Sequence, residues 1–171
     1  LKRAAEAGDP EAMFELARFY EKGIHVPVNE SQALTYFRRS ADAGYALALN
    51  DLGFMYAQGL LGLQTDYAQA YQLFEAAADE RHPQALFNYA VFVDQGEVPG
   101  RGPEDAAQYL FDALRTGAPD VGQIICQQPD MFSVPTRAEL QRIMAEFGFY
   151  TGAIDADFGL GTTRGIALAY G

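Results

Sequence analysis

The chain has 171 residues, of which 49% are hydrophobic and 20% charged, a balance typical of a folded protein. Its 12 basic and 23 acidic residues give a net charge of −11, which argues against nucleic acid and anionic membranes as partners. The single cysteine excludes an internal disulfide. No apolar run reaches the roughly 20 residues that span a bilayer.

A set of landmark residues recurs at a fixed interval along most of the chain. Four equivalent turn positions are occupied by Gly8, Gly44, Arg81 and Gly117. Subtraction of their numbers gives steps of 36, 37 and 36 residues. Nine residues beyond each turn stands a small residue, in the order Ala17, Gly53, Ala90 and Cys126. A period of this length indicates stacked supersecondary units.

Each repeat divides into two helical patterns, so the sequence predicts a series of helical hairpins. The first helix follows Asp9-Pro10, a capping residue and a proline suited to the first turn. The second is capped by Asn29 or Ser31. The predicted helices cover about 10–22, 30–43, 46–58, 66–79, 83–95, 103–116 and 119–127. The small residues that follow large ones, such as Gly53 after Leu52, predict a close approach of two helix axes.

The repeats resemble the Sel1-like repeat family, a relative of the tetratricopeptide repeats. The motif AEAG-x3-A-x3-LA-x2-Y-x2-G runs from Ala5 to Gly23, and ADAG-x3-A-x3-LG-x2-Y-x2-G runs from Ala41 to Gly59. The resemblance covers residues 1–127, about three repeats with partial units at each end. It implies an all-α fold, a right-handed α-solenoid. The third repeat departs from the motif, with Arg81 for glycine and Val93 for tyrosine.

The pattern changes after residue 127. Residues 128–135 predict a connector, and Thr136 with Glu139 predicts a capping box that opens a helix through about Phe147. A glycine-rich stretch follows, and then a final helix over about 163–170.

This C-terminal region, residues 136–171, resembles the small three-helix peptidoglycan-binding domain of bacterial wall hydrolases and envelope proteins. The family pattern continues beyond Tyr170, so we expect a truncated domain. The matching residues are Leu140, Gln141, Met144, Gly148, Phe149, Tyr150, Gly152, Ile154, Asp155, Phe158, Gly159, Thr162 and Ile166. Two positions depart from the family pattern: Ala156 replaces a glycine and Gly165 replaces an alanine. The resemblance implies a periplasmic protein that associates with peptidoglycan.

The residues capable of catalysis are few and scattered. His25 and His82 lie at unrelated turns, and Cys126 holds a small interior position, so no metal site and no activated nucleophile is predicted. For Asp155, hydrogen bonding within the loop is a better interpretation than a catalytic pair with Asp157. We therefore expect a protein that is not an enzyme and holds no cofactor or metal.

Partner binding is the function that the repeats predict. By analogy with tetratricopeptide repeats, the first helices of successive repeats line a concave face that grips a protein or peptide. The predicted partner-binding residues are Phe14, Arg18, Asn50, Phe54, Phe87, Asn88 and Asp94. The alternative for the three phenylalanines is that they pack between neighbouring helices.

The C-terminal region supplies a second set of candidates. A shallow groove for glycan and peptide needs aromatic rings and polar groups, and Phe149, Tyr150, Asp155 and Phe158 fit that need. The alternative is that Phe158 and one of the other two rings form the core of this small module.

These features favour a non-catalytic periplasmic scaffold whose repeats bind a protein and whose C-terminal region contacts peptidoglycan. The domain order is similar to that of scaffolds at bacterial cell poles. Two alternatives stay open: a regulatory adaptor whose C-terminal region only caps the repeats, or the targeting arm of a larger wall-remodelling enzyme. The opening residues 1–8 match the end of a second helix, so we expect a fragment of a longer protein in which any signal sequence or membrane anchor lies upstream.

Overall fold

A computed structural model describes residues 1–117 and 119–170, and its regular secondary structure over these residues is entirely helical. The helices are α1 (Lys2–Glu6), α2 (Pro10–Lys22), α3 (Glu30–Asp42), α4 (Ala46–Gln58), α5 (Tyr67–Asp79), α6 (Pro83–Asp94), α7 (Pro103–Arg115), α8 (Pro119–Gln127), α9 (Val134–Glu146) and α10 (Leu160–Ala169). A 3-10 turn, Pro129–Met131, precedes α9. The chain forms two compact units: an N-terminal unit of residues 1–80 and a C-terminal unit that begins at Arg81. None of the described helices is both long and apolar enough to cross a membrane.

In the N-terminal unit the helices pack as hairpins, α2 with α3 and α4 with α5, and α3 also packs on α4. Short polar side chains start three of these helices. The side-chain oxygens of Asp9, Asn29 and Asp66 accept hydrogen bonds from backbone N–H groups of the following first turns, at 2.7, 2.9 and 3.0 Å. Each bond satisfies a donor that the helix itself leaves unpaired. Of the two capping residues predicted for α3, the structure uses Asn29.

The repeated turn position has one backbone conformation throughout. Gly8, Gly44 and Gly117 have φ angles of 95°, 80° and 76°, and Arg81 has a φ of 55°. This left-handed region costs a residue with a Cβ about 1–2 kcal/mol relative to glycine. The third repeat therefore keeps the turn geometry of its neighbours despite the substitution of arginine.

The paired helices α4 and α5 come close together at Gly53. A Cβ at this position would lie 3.0 Å from Cε1 of Phe74 and 3.2 Å from the carbonyl oxygen of Ala70, both on α5. The equivalent residues Ala17 and Ala90 are completely buried. The predicted close contact of helix axes is confirmed at Gly53, and the burial of Ala17 and Ala90 is consistent with it.

In the C-terminal unit α6 pairs with α7, and α9 packs along α7. The core of this unit is formed by Tyr89, Leu110, Leu114, Ile125, Leu140 and Met144, each almost completely buried. It includes side chains from α6, α7 and α8, within the predicted repeats, and from α9, within the predicted C-terminal domain. The predicted domain boundaries at 127 and 136 stay a prediction.

The start of α9 differs from the prediction. Ser133 is the N-cap, its Oγ accepts from the Thr136 N–H at 3.4 Å, and Pro135 lies in the first turn. Thr136 is completely buried, and its hydroxyl donates to Asp94. Glu139 contacts Arg142 and does not complete a capping box. The final helix also starts earlier than predicted, at Leu160.

Candidate binding surfaces

The predicted partner-binding residues of α2 lie at different depths. Phe14 is only 2% exposed, and its ring packs at 5.7 Å from Phe37 and 5.4 Å from Tyr45. The half-buried Arg18 extends over this ring at 5.7 Å and pairs with Glu15 at 3.6 Å. Phe14 therefore has the packing role, and Arg18 is the part of this pair that reaches the surface.

In α4 the order is reversed, with the polar residue inside and the aromatic residue outside. Asn50 is 7% exposed, and its side-chain amide donates to Asp51 at 3.1 Å. Phe54, one turn later, is 51% exposed. Because a half-exposed phenylalanine gains free energy when a partner covers it, Phe54 is the strongest contact candidate of the N-terminal unit.

The three candidates of α6 are engaged within the C-terminal unit. Phe87 is 5% exposed and makes an edge contact with Phe132 at 5.8 Å. Asn88, half-buried, accepts from the Gln84 side chain at 3.2 Å. The Asp94 carboxylate accepts from the Ser133 N–H at 2.9 Å and from its hydroxyl at 2.6 Å. Phe87 and Asp94 thus hold the segment that precedes α9, which corrects their expected place on an open face.

A buried glutamine organises the glycine-rich loop between α9 and α10. Gln141 is completely buried, and its side-chain carbonyl accepts from the N–H groups of Asp155 and Ala156 at 3.0 and 2.8 Å. Its amide nitrogen donates to the Asp157 carbonyl at 2.9 Å and to the Thr162 hydroxyl at 3.0 Å. One side chain therefore links α9, the loop and the start of α10.

Asp155 has the loop-ordering role expected of it. Its carboxylate accepts from the Asp157 N–H at 3.0 Å and from the Gln141 amide at 3.1 Å. These hydrogen bonds lower the pKa of Asp155 below its ordinary value, and the bond from the Asp157 backbone has the larger effect. Ala156 keeps a φ of 61°, the left-handed conformation that explains why the resembling family has glycine here.

The aromatic candidates of the C-terminal region are partly or fully packed. Tyr150 is 8% exposed, and its hydroxyl donates to the Ala153 carbonyl at 2.7 Å. Phe149 is half-buried, 6.2 Å from the ring of Phe111, with the Arg115 guanidinium 5.3 Å over its face. Phe158 is half-buried. Phe149 and Tyr150 also line a cleft of about 450 Å³ between the loop and α10.

The remaining candidates for chemistry have structural roles. His82 caps α6, its Nδ1 accepting from the Ala85 N–H at 3.3 Å. His25 is exposed. Cys126 is half-buried beside α10, and burial raises the pKa of its thiol, which disfavours the reactive thiolate. Within the described part of the chain no three His, Cys, Asp or Glu side chains gather as metal ligands.

Two features were missed by sequence reasoning. The pairing of Asp94 with Ser133 joins residues 39 apart, and no local pattern predicts it. The sequence did mark Gln141, because Leu140-Gln141 begins the C-terminal motif. The motif alone does not show that the side-chain amide is buried.

Comparison with known proteins finds a family model that matches part of the chain, and several relatives. Residues 10–45 and 46–82 each match the Sel1 repeat. A Sel1 repeat protein from Oxalobacter formigenes superposes with a TM-score of 0.67 at 28% identity, covering 71% of this chain and 91% of that one. The chitin synthase regulator SKT5 of Malassezia restricta is 32% identical over 65% of this chain and 8% of its own length. The exopolysaccharide production negative regulator of Rhizobium leguminosarum is 29% identical over 68% of this chain and 48% of its own length.

The chain thus spans less than half the length of these curated relatives. The family match lies within residues 10–82, and the solved structure has the same helical repeat fold. The expected helical repeat solenoid is confirmed. The resemblance of residues 136–171 to a peptidoglycan-binding domain stays a prediction.

Substitution of Gln141 by leucine tests its role in the loop. Leucine keeps most of the buried volume but leaves the N–H groups of Asp155 and Ala156 without their acceptor. Each buried donor left unpaired costs about 1–3 kcal/mol, so Gln141→Leu should lower the free energy of unfolding by at least that amount. Chemical denaturation measures the loss, and amide hydrogen exchange should accelerate in residues 153–157.

The matched control is Gln108→Leu, which changes an exposed glutamine on α7. It should leave stability within about 0.5 kcal/mol of the unsubstituted protein. Equal stability of the Gln141 and Gln108 variants would show that the loop does not depend on the buried amide.

Proposed function

We propose that the chain is a member of the Sel1 repeat family and a non-catalytic adaptor whose repeats bind a protein partner. The names of its relatives, a chitin synthase regulator and an exopolysaccharide production negative regulator, describe proteins that act on other components. The scattered histidines and the half-buried Cys126, whose thiol pKa is raised by burial, fit an adaptor better than an enzyme.

The observation that carries the proposal is the exposure of Phe54. Its neighbour Gly53 is buried against α5, whereas Phe54 presents about half of its surface to solvent from the first helix of its repeat. Arg18, on the first helix of the preceding repeat, adds a surface guanidinium. An aromatic ring and an arginine are the side chains that most often dominate the binding energy of an interface.

For the C-terminal unit we propose association with peptidoglycan, and hence a periplasmic location within a larger bacterial envelope protein. The resemblance of residues 136–171 supports this role, as does the cleft beside Phe149 and Tyr150. The buried network around Gln141 holds that loop in one conformation, which reduces the entropy lost when a ligand binds.

One observation favours a second candidate, in which the C-terminal helices only cap the repeats of a regulatory adaptor. The ring of Phe111 on α7 contacts Phe147 at 4.9 Å, and the Arg115 guanidinium donates to the Ala169 carbonyl at 2.9 Å. These contacts cover the last well-formed repeat hairpin, as the end of a repeat array requires.

The partner-binding role is tested at Phe54. A photoreactive phenylalanine analogue at this position, introduced in the source cells, should crosslink to a specific protein that mass spectrometry identifies. With that protein purified, Phe54→Ala should weaken binding by about tenfold or more, since central aromatic residues contribute about 2 kcal/mol or more. Calorimetry measures the affinity.

Tyr67→Ala is the control, because Tyr67 is an equally exposed aromatic residue at the start of α5. It should leave the affinity unchanged. A Phe54→Ala variant that binds the crosslinked protein as tightly as the unsubstituted chain would exclude this surface as the contact.

Cosedimentation with purified bacterial sacculi separates wall association from the capping alternative. Wall association predicts that the whole chain pellets with sacculi and that soluble muropeptides release it. A chain that stays in the supernatant at every sacculus concentration would leave only the capping role for the C-terminal helices.

A further inference from the structure

We propose that the cleft between α10 and residues 148–152 binds the carboxylate of a short peptide, and that Arg164 is the residue that recognises it. A wall-associated protein would encounter such a carboxylate on the peptide stem of peptidoglycan, which ends in a free alanine carboxylate. The inference rests on the proposed wall association and names the part of the polymer that is bound.

One face of α10 forms a wall of the cleft. The residues of this face stand at intervals of three and four, which places them on the same side of the helix: Gly161, Arg164, Gly165 and Leu168. Leu168 is 55% exposed. This face thus combines one cation, one apolar side chain and two positions with no side chain.

The two glycines let the loop approach α10 closely. A Cβ at Gly165 would lie 2.8 Å from the Phe149 carbonyl oxygen and 3.5 Å from the Tyr150 Cβ, and one at Gly161 would lie 3.5 Å from the Tyr150 ring. The contact explains why Gly165 replaces the alanine of the resembling family. It also fixes the loop against the helix, so that Arg164 stands beside a rigid wall.

The electrostatics of the cleft favour an anion. Among the described residues Arg18, Arg101, Arg137 and Arg142 each pair with a carboxylate, whereas none of the recorded ion pairs involves Arg164. The cleft lining includes no aspartate or glutamate. Arg164 is therefore the one charged side chain in the described lining of the cleft, and no carboxylate of that lining offsets its charge.

The size and chemistry of the cleft fit a peptide end. Its volume of about 450 Å³ lies in the range of ligand pockets, about 300–1,000 Å³. The planar guanidinium matches a carboxylate with two parallel hydrogen bonds. Leu168 and the edge of Tyr150 offer apolar surface to a neighbouring methyl group, as alanine has. A glycan chain carries no such charge and would leave the guanidinium without a ligand group.

Binding of a synthetic stem peptide to the whole chain tests the proposal. The probe is L-Ala-γ-D-Glu-L-Lys-D-Ala-D-Ala, compared with the same peptide carrying a C-terminal amide, and binding is followed by two-dimensional NMR and calorimetry. The free acid should shift the amide signals of residues 148–152 and 161–168. Loss of the terminal carboxylate should weaken binding by at least about tenfold, because a charge-assisted hydrogen bond is lost.

Arg164→Gln should weaken binding of the free acid to the same extent, and Arg164→Lys should retain part of it. Because Arg164 is exposed, circular dichroism should show an unchanged fold. Arg142→Gln, which removes an arginine that is paired with Glu139 in another part of the C-terminal unit, should bind as the unsubstituted chain does.

The proposal is overturned if the free acid does not bind at millimolar concentration, if the acid and the amide bind equally, or if the Arg164→Gln variant binds as tightly as the unsubstituted chain. Inorganic phosphate that competes as well as the peptide would also overturn it, because the cleft would then be a general anion site. If the chain and its Arg164→Gln variant pellet equally with sacculi, wall association stands and the assignment of the cleft fails. If neither pellets, wall association fails, and Arg164-dependent peptide binding alone would still support the cleft.

Discussion

The contact of α4 with α5 at Gly53 sets the geometry on which the repeat unit depends. Because Gly53 has no side chain, the Phe74 ring and the carbonyl of Ala70 occupy space that a Cβ at this position would need. The buried side chains of these two helices include five alanines: Ala48, Ala57, Ala70, Ala77 and Ala78. The next residue, Phe54, lies about 100° further round the helix, and this rotation turns it to solvent. The packing requirement on one face thus determines which residues are available for a partner on the other.

The small repeat position is packed differently in the C-terminal unit. Cys126 holds the small repeat position but is only half-buried, and α9 packs along α7, the second helix of the preceding hairpin. The helices after α8 therefore cover the surface of the last repeat hairpin and also form a cleft. Gln141 holds the loop that faces α10, and the cleft next to Arg164 lies between these two elements. Capping and ligand binding share one residue, because the Phe149 ring contacts Phe111 and Arg115 of α7 and also lines the cleft. The two roles are compatible, because Arg164 and Leu168 line the cleft from α10.

Local features were predictable, and features that join distant segments were not. The caps at Asp9 and Asn29 and the glycine turns follow from side-chain chemistry within three or four residues, and the structure contains them. The burial of Phe14 depends on Phe37 and Tyr45, which belong to later elements, so helix periodicity alone left its role open. The start of α9 was predicted too late in the sequence. Ser133 is the true N-cap and is held by a hydrogen bond to Asp94, a distant residue that the local capping-box pattern at Thr136 does not reveal. Arg164 carries no motif, and only the fold shows that it lines a cleft.

A double-mutant cycle between Gly53→Ala and Phe74→Leu measures the helix contact most directly. The added methyl group raises helix propensity equally in both backgrounds, so this effect cancels in the coupling energy. If the α4 backbone and the Phe74 ring compete for the same space, Gly53→Ala should cost less stability when leucine occupies position 74. The account predicts a coupling of at least about 0.5 kcal/mol in this direction, measured by chemical denaturation of the four proteins. Effects that add to within about 0.3 kcal/mol would contradict it, because the two helices would then not be in close contact at Gly53.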